Sequence, residues 1–260
     1  MDLKLQNHVV IVTGGAQGIG GGISEFFAEE GARVVVASRS TPEGLAFMAR
    51  LQQKSPCLFL ETELGQSAAA ELVVERTLAH FGRIDCIVNN AGVNDGASLE
   101  KGPQAFRDSL TNNLLHIFDL VHYALPALKA SRGNIVNITS KIVSTGQGGT
   151  SGYAAAKGAL NALTREWALD LAKDSIRVNA VAPAEVMTPL YEKWLMAHDE
   201  PAAMLRKIEQ MIPLGQRMTT TREIAAMVVF LASSASSHTT GQILYPDGGY
   251  THLDRKCTIP

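Results

Sequence analysis

Short runs of β-branched and other apolar residues recur along this chain with helix-length segments between them, and this alternation limits the available folds more than any other feature. The runs are His8–Thr13, Arg33–Ala37, Cys57–Glu61, Cys86–Asn89, Gly133–Ile138, Arg177–Val181 and Gln242–Tyr245. Their apolar residues are consecutive rather than alternating, as in strands buried on both faces. Ile19–Glu30, Ser67–His80, Pro103–Ala130, Gly152–Lys173 and Thr221–Ser233 read as the helices. Repeated strand–helix units predict an α/β fold, a single doubly wound parallel sheet of about seven strands with helices on both faces.

No repeat, low-complexity linker or shift in composition divides the 260 residues, so one domain spanning 1–260 is expected. Thr188–Pro213 has no strand and carries Trp194, Met196, Met204 and Met211. It reads as a helical insertion over 188–213, at the carboxyl edge of the sheet where such folds bind ligands. A formal charge of −2, with lysines and arginines scattered, gives no reason to expect nucleic acid or an anionic membrane as partner. Cys57, Cys86 and Cys257 have neither metal-ligand spacing nor an even count, so neither a metal site nor a disulfide framework is expected. The opening MDLKLQNHVVIV lacks the apolar core of a signal peptide, and no apolar run reaches the ~20 residues of a membrane span. These features predict a soluble cytoplasmic protein.

The first run leads into TGGAQGIG, which opens the first helix. Gly14, Gly18 and Gly20, with Gln17 and Ile19 between them, let the backbone turn tightly and approach a pyrophosphate at the helix N-terminus, where free N–H groups favour an anion. At the end of the second run, Ser38-Arg39 stands where an NAD site carries Asp or Glu for the ribose 2′-hydroxyl. Arg39 suits a 2′-phosphate, so NADP is favoured over NAD. Asn90-Ala91-Gly92 ends the fourth run, and its small residues admit the adenosine ribose.

Tyr153 and Lys157 are four residues apart in a predicted helix and therefore share a face. A cation beside a phenol stabilises phenolate and lowers its pKa, which a tyrosine acting as acid or base near neutral pH requires. Ser140 lies thirteen residues upstream of Tyr153.

With TGGAQGIG, Asn89-Asn90-Ala91-Gly92, Ser140 and Tyr153-x3-Lys157 in this order, the chain resembles the short-chain dehydrogenase/reductase family over roughly residues 5 to 250. The resemblance implies a Rossmann-type domain, no metal, a homotetramer, and Asn113 as fourth catalytic residue with Ser140, Tyr153 and Lys157. Tyr153 would be the general base, Ser140 would hold the substrate oxygen, and Lys157 would hold the nicotinamide ribose and lower the tyrosine pKa. Asn113 would support a water on the proton path. Pro183, Thr188 and the backbone of Val186 would line the nicotinamide, and Glu63-Leu64, in place of the usual Asp-aliphatic pair, the adenine. Ala184 stands where the family usually has Gly, and Glu185 brings a carboxylate near the reacting carbon.

Lys141, Gln147, Glu185, Trp194 and His252 are the candidate substrate contacts, in polar segments unlike the apolar pocket a steroid or acyl chain needs. SKxxxTGQGxTSGY, PAEVMTPLYxxW and GGYTHLDR resemble the sugar-oxidising members of the family, which convert L-fucose and related aldoses to lactones. The alternatives are a 3-oxoacyl-carrier-protein reductase or a hydroxysteroid dehydrogenase of the same family and, remotely, a non-catalytic dinucleotide-binding protein.

Overall fold

A computed structural model describes residues 2–66 and 68–254. Ser67, expected to begin a helix, Arg255 of the polar terminal segment and Cys257 lie outside the described residues. The strands β1 (Val9–Thr13), β2 (Arg33–Ser38), β3 (Cys57–Glu61), β4 (Cys86–Asn89), β5 (Asn134–Ile138), β6 (Arg177–Val181) and β7 (Ile243–Leu244) form one sheet in the order β3-β2-β1-β4-β5-β6-β7. Every pairing is parallel. The predicted doubly wound sheet is the one observed.

Side chains alternate across each strand and so feed two cores. Val10, Val12, Val34, Val36 and Val88 face α1 (Gly18–Glu29), α2 (Pro42–Leu51) and α9 (Thr221–Ala232). Val9, Ile11, Val35, Ile87 and Ile135 face α3 (Ala69–Phe81), α5 (His116–Ser131) and α6 (Ser151–Asp170). Each fully buried branched side chain contributes roughly 1.5–3 kcal/mol, which is why the central strands have no polar alternation to read. Among the described residues, no helix is long and apolar enough to cross a membrane.

The sequence did not predict α2. It starts on a side-chain cap, with Thr41 Oγ1 accepting from Gly44 N–H at 3.0 Å and Pro42 in the first turn. Its apolar stripe is short, because Leu45 points to solvent and only Met48 and Leu51 are large and buried. The helix expected over Pro103–Ala130 is divided into α4 (Gly102–Leu110) and α5 by a π-helical turn at Thr111–Leu115. In that turn Asn113 Nδ2 donates to the Ser109 carbonyl at 2.9 Å, and the His116 ring reaches the Asn112 carbonyl at 3.1 Å. Side chains thus serve carbonyls that a regular helix would pair with its own amides. Within the insertion, α7 (Pro189–Met196) and α8 (Pro201–Gln210) are helical.

The chain runs outward from β1 to β3, then crosses to β4 on the other side of β1. That reversal opens a crevice beyond the carboxyl ends of β1 and β4, the ligand position in sheets of this kind.

Candidate active site

A cleft of about 540 Å³ occupies this crevice. It is lined by Gly14, Gln17, Gly18, Ile19 and Gly20 of the first turn, by Ser38, Arg39, Glu63 and Leu64, and by Asn90, Ala91 and Gly92. Ser140, Tyr153, Lys157, Pro183 and Thr188 line its other end. The two central turns are tied together. Thr13 Oγ1 accepts from Asn90 N–H at 2.9 Å and from Ala91 N–H at 3.0 Å, while Asn90 Nδ2 donates to the Thr13 carbonyl at 2.9 Å. The Val186 side chain is turned away from the cleft into the core beneath, and the residue bridges Thr219. Thr219 N–H donates to the carbonyl of Glu185, not of Val186.

Four catalytic candidates converge from three elements. Ser140 follows β5 and caps the turn Lys141–Val143, and Tyr153 and Lys157 project from one face of α6. A buried polar chain anchors that helix, with Asn89 Nδ2 donating to Asn137 Oδ1 at 2.8 Å and Asn137 Nδ2 to Thr164 Oγ1 at 2.9 Å. Lys157 is buried and donates from Nζ to the Ile138 carbonyl at 2.8 Å. Burial pushes its pKa down to about 8. A Cβ on Gly92 would stand 2.8 Å from Asn113 Oδ1 and 3.3 Å from Lys157 Nζ, so only glycine lets these side chains meet the turn. Asn113 Oδ1 accepts from Val93 N–H at 2.7 Å. With Nδ2 on Ser109, both ends of this side chain are occupied by protein.

The tyrosine differs from expectation in one respect. Burial raises the Tyr153 pKa above its ordinary value, and the opposing influence is its hydrogen bond with Ser140. Lys157 was expected to lower it, but its ammonium is turned to the Ile138 carbonyl, 5.7 Å from the phenol ring centre.

The five substrate candidates are not all brought together. Lys141 and Glu185 form an ion pair whose side chains are 16% and 13% exposed. Lys141 Nζ also lies 3.9 Å above the Tyr250 ring. Tyr191 hydrogen-bonds Glu185, and its phenol pKa is pushed up by burial first and the Glu185 charge second. Trp194 packs edge-on against Tyr191 at 5.2 Å and against His198 at 4.6 Å. None of the five lines the cleft itself, and Gln147 is exposed. His252 is exposed beside Tyr245, 6.4 Å between rings, and Tyr245 shares a 2.6 Å hydrogen bond with Ser144. Tyr191, Tyr245 and Tyr250 were not singled out in the sequence. For Tyr191 a signal existed: it sits three residues before Trp194, on the same helix face.

The family model described as enoyl-(acyl carrier protein) reductase matches residues 14–251. The L-fucose dehydrogenase of Mus musculus is 38% identical over 98% of this chain and 93% of its own length. The chain belongs to the short-chain dehydrogenase/reductase family. It is therefore an NAD(P)-dependent oxidoreductase acting on alcohol groups. Another relative of this short-chain dehydrogenase is the 3-oxoacyl-[acyl-carrier-protein] reductase FabG of Thermotoga maritima, 36% identical over 95% of this chain and 99% of that one. In the crystal structure of Cj0485 dehydrogenase the chain is 49% identical, with a TM-score of 0.93 and 98% of each chain covered.

The dehydrogenase's residues fit a dinucleotide. A Cβ on Gly20 would lie 2.2 Å from the Gly14 carbonyl oxygen, so the turn is bare backbone by necessity. The N-terminus of α1 has no side-chain cap and no acidic residue in its first turn, which leaves its amides free for a pyrophosphate.

Proposed function

We propose that this dehydrogenase oxidises the anomeric hydroxyl of an aldose, L-fucose or a related sugar, to the lactone, with NADP favoured over NAD. The observation that carries this reading is the Lys141–Glu185 pair immediately beyond Ser140 and Pro183. The Lys141 N–H donates to the Pro183 carbonyl at 2.9 Å, so both charged residues are held beside the catalytic serine. Covering such a pair with a steroid or acyl chain forfeits its remaining hydration without replacement. A sugar offers hydroxyls to both charges, and the aromatic pair Tyr191–Trp194 offers ring faces for its C–H groups. The naming and near-full coverage of the mouse relative support the same class.

In the proposed reaction the Tyr153 phenolate takes the proton of the substrate hydroxyl, and Ser140 donates a hydrogen bond to that oxygen as charge develops. Lys157 holds the nicotinamide ribose hydroxyls and passes the proton onward. Asn113, its side chain committed to Val93 and Ser109, supports the following water from the main chain of the π turn. Gly14, Gln17, Gly18, Ile19 and Gly20 hold the pyrophosphate; Asn90, Ala91 and Gly92 the adenosine ribose; Glu63 and Leu64 the adenine. Pro183, Thr188 and the Val186 backbone hold the carboxamide. The bound nicotinamide supplies the hydride acceptor.

Arg39 is the proposed ligand of the 2′-phosphate, but it stands 3.9 Å from Glu63. Both side chains are well exposed, at 75% and 50%, so their mutual attraction is weak and the guanidinium can turn. Arg39→Ala should raise KM for NADP roughly tenfold more than KM for NAD, the worth of one charge-assisted bond. Glu63→Gln should shift the preference toward NADP. Equal effects on both cofactors would remove Arg39 from the phosphate site.

We further propose that it works in the cytoplasm as a single-domain homotetramer. Exposed Phe118 and Tyr123 on α5 and Leu169 on α6 support helix-to-helix assembly. The FabG relative motivates the rival activity, reduction of a 3-oxoacyl thioester. A substrate screen separates them: L-fucose with NADP is expected to turn over and acetoacetyl thioesters with NADPH are not. The reverse result rejects the sugar assignment.

A further inference from the structure

Sequence reasoning gave His116 no role, yet it is the one histidine lining the cleft among the described residues. It stands four residues after Asn112, in the helix that follows the π turn, and only 3% of its surface is exposed. Its Nε2 is 3.1 Å from the Asn112 carbonyl. A carbonyl oxygen can only accept, so Nε2 carries the hydrogen and Nδ1 presents a bare lone pair. Among the described residues no protein group meets that lone pair, although it is shielded from bulk solvent. Burying an unpaired acceptor costs about 1–3 kcal/mol, which an apolar residue at this position would avoid. Burial, with a smaller push from the nearby Lys157 charge, lowers the imidazole pKa to about 4. The ring is therefore neutral, and an acceptor, throughout the neutral range.

The surroundings indicate what it accepts. Any water beyond Lys157 needs two to four polar partners to be held in place. The Asn113 side chain has at most one acceptor position to give it, because Oδ1 already accepts from Val93 N–H and both Nδ2 hydrogens go to Ser109, so a further partner is needed. We propose that His116 is a positioning residue on the proton path, its Nδ1 accepting a hydrogen bond from a water that receives the proton leaving Lys157. Each oxidation releases one proton. The substrate O–H breaks, Tyr153 gains the proton, and it moves through Lys157 and water to solvent as each O–H or N–H broken is replaced by the next one formed. His116 begins and ends neutral, with its hydrogen on Nε2. The inference rests on the Tyr153–Lys157 proton step proposed above and not on which alcohol is oxidised.

Two amide substitutions separate the two ring nitrogens. In His116→Asn the side-chain oxygen falls where Nδ1 was, so the acceptor survives. In His116→Gln the amide falls where Nε2 was, so the bond to Asn112 survives and the acceptor is lost. His116→Gln and His116→Leu are expected to lower kcat roughly tenfold, the worth of one bridging water, with an enlarged solvent deuterium isotope effect and unchanged KM. His116→Asn is expected to recover most of that loss. A high-resolution crystal structure of the protein without cofactor gives a readout independent of turnover: a water within hydrogen-bond distance of Nδ1, lost in His116→Leu. Equal kcat in wild type and His116→Gln overturns the proposal, as does a structure in which Nδ1 is dry or bonded to protein. Should wild type oxidise none of the alcohols tried, the proton step fails on its own account and the water position still decides His116.

Discussion

Tyr153→Phe is expected to reduce turnover by about 10³-fold or more, within the range that a positioned general acid or base contributes. The substitution removes one oxygen and keeps the ring, so the packing of α6 is undisturbed. Ser140 remains, but a serine hydroxyl that only hydrogen-bonds the substrate oxygen cannot accept its proton at neutral pH. Lys157 cannot replace the phenol either, because its ammonium is buried and bonded to the Ile138 carbonyl. Affinity for the dinucleotide, measured by fluorescence titration, should change little, since the residues proposed to hold it are intact. Retained turnover in this variant would move the proton transfer to another group and undo the assignment of roles around Tyr153.

Gly20→Ala has the second large expected effect, and it acts on binding rather than chemistry. The added methyl would lie 2.2 Å from the Gly14 carbonyl oxygen and 2.5 Å from Asn90 Nδ2. Neither neighbour can yield cheaply. One is backbone, and the other is held by the Thr13 carbonyl at 2.9 Å. The turn must move, and with it the network that joins the ends of β1 and β4. Overpacking of this kind costs roughly 1–3 kcal/mol of stability, a loss of a few degrees in Tm for a chain of this size. The dinucleotide should bind about 100-fold more weakly, the worth of two charge-assisted bonds from the amides proposed to hold its pyrophosphate. Gly158→Ala is the matched control. Nothing lies within 4 Å of a Cβ there, so it should leave the dinucleotide Kd unchanged.

Most of the fold could be read in the sequence because burial on both faces leaves a plain mark, as in Val9–Thr13 and Arg177–Val181. The exceptions have local causes. In α2 the outward Leu45 disguised the apolar stripe. The π turn at Thr111–Leu115 depends on Asn113 and His116 bonding carbonyls within their own helix, and hydrophobic spacing carries no trace of that. The candidate cofactor residues were legible because the turn that ends a strand fixes them by short-range spacing. Substrate residues were harder. Lys141 and Glu185 lie 44 positions apart, and only the closing of β5 against β6 brings their charges together. Gln147, in a glycine-rich segment without periodicity, could not be oriented from sequence and is exposed. The Tyr153 pKa depends on burial, which the four-residue spacing to Lys157 does not reveal.

The measurement closest to the central claim follows a sugar labelled with ¹³C at the anomeric carbon through the reaction by NMR. With wild-type protein and NADP, labelled L-fucose is expected to convert to a lactone carbonyl in step with formation of reduced cofactor. An unchanged anomeric signal, from protein that reduces acetoacetyl thioesters with NADPH, would contradict the account.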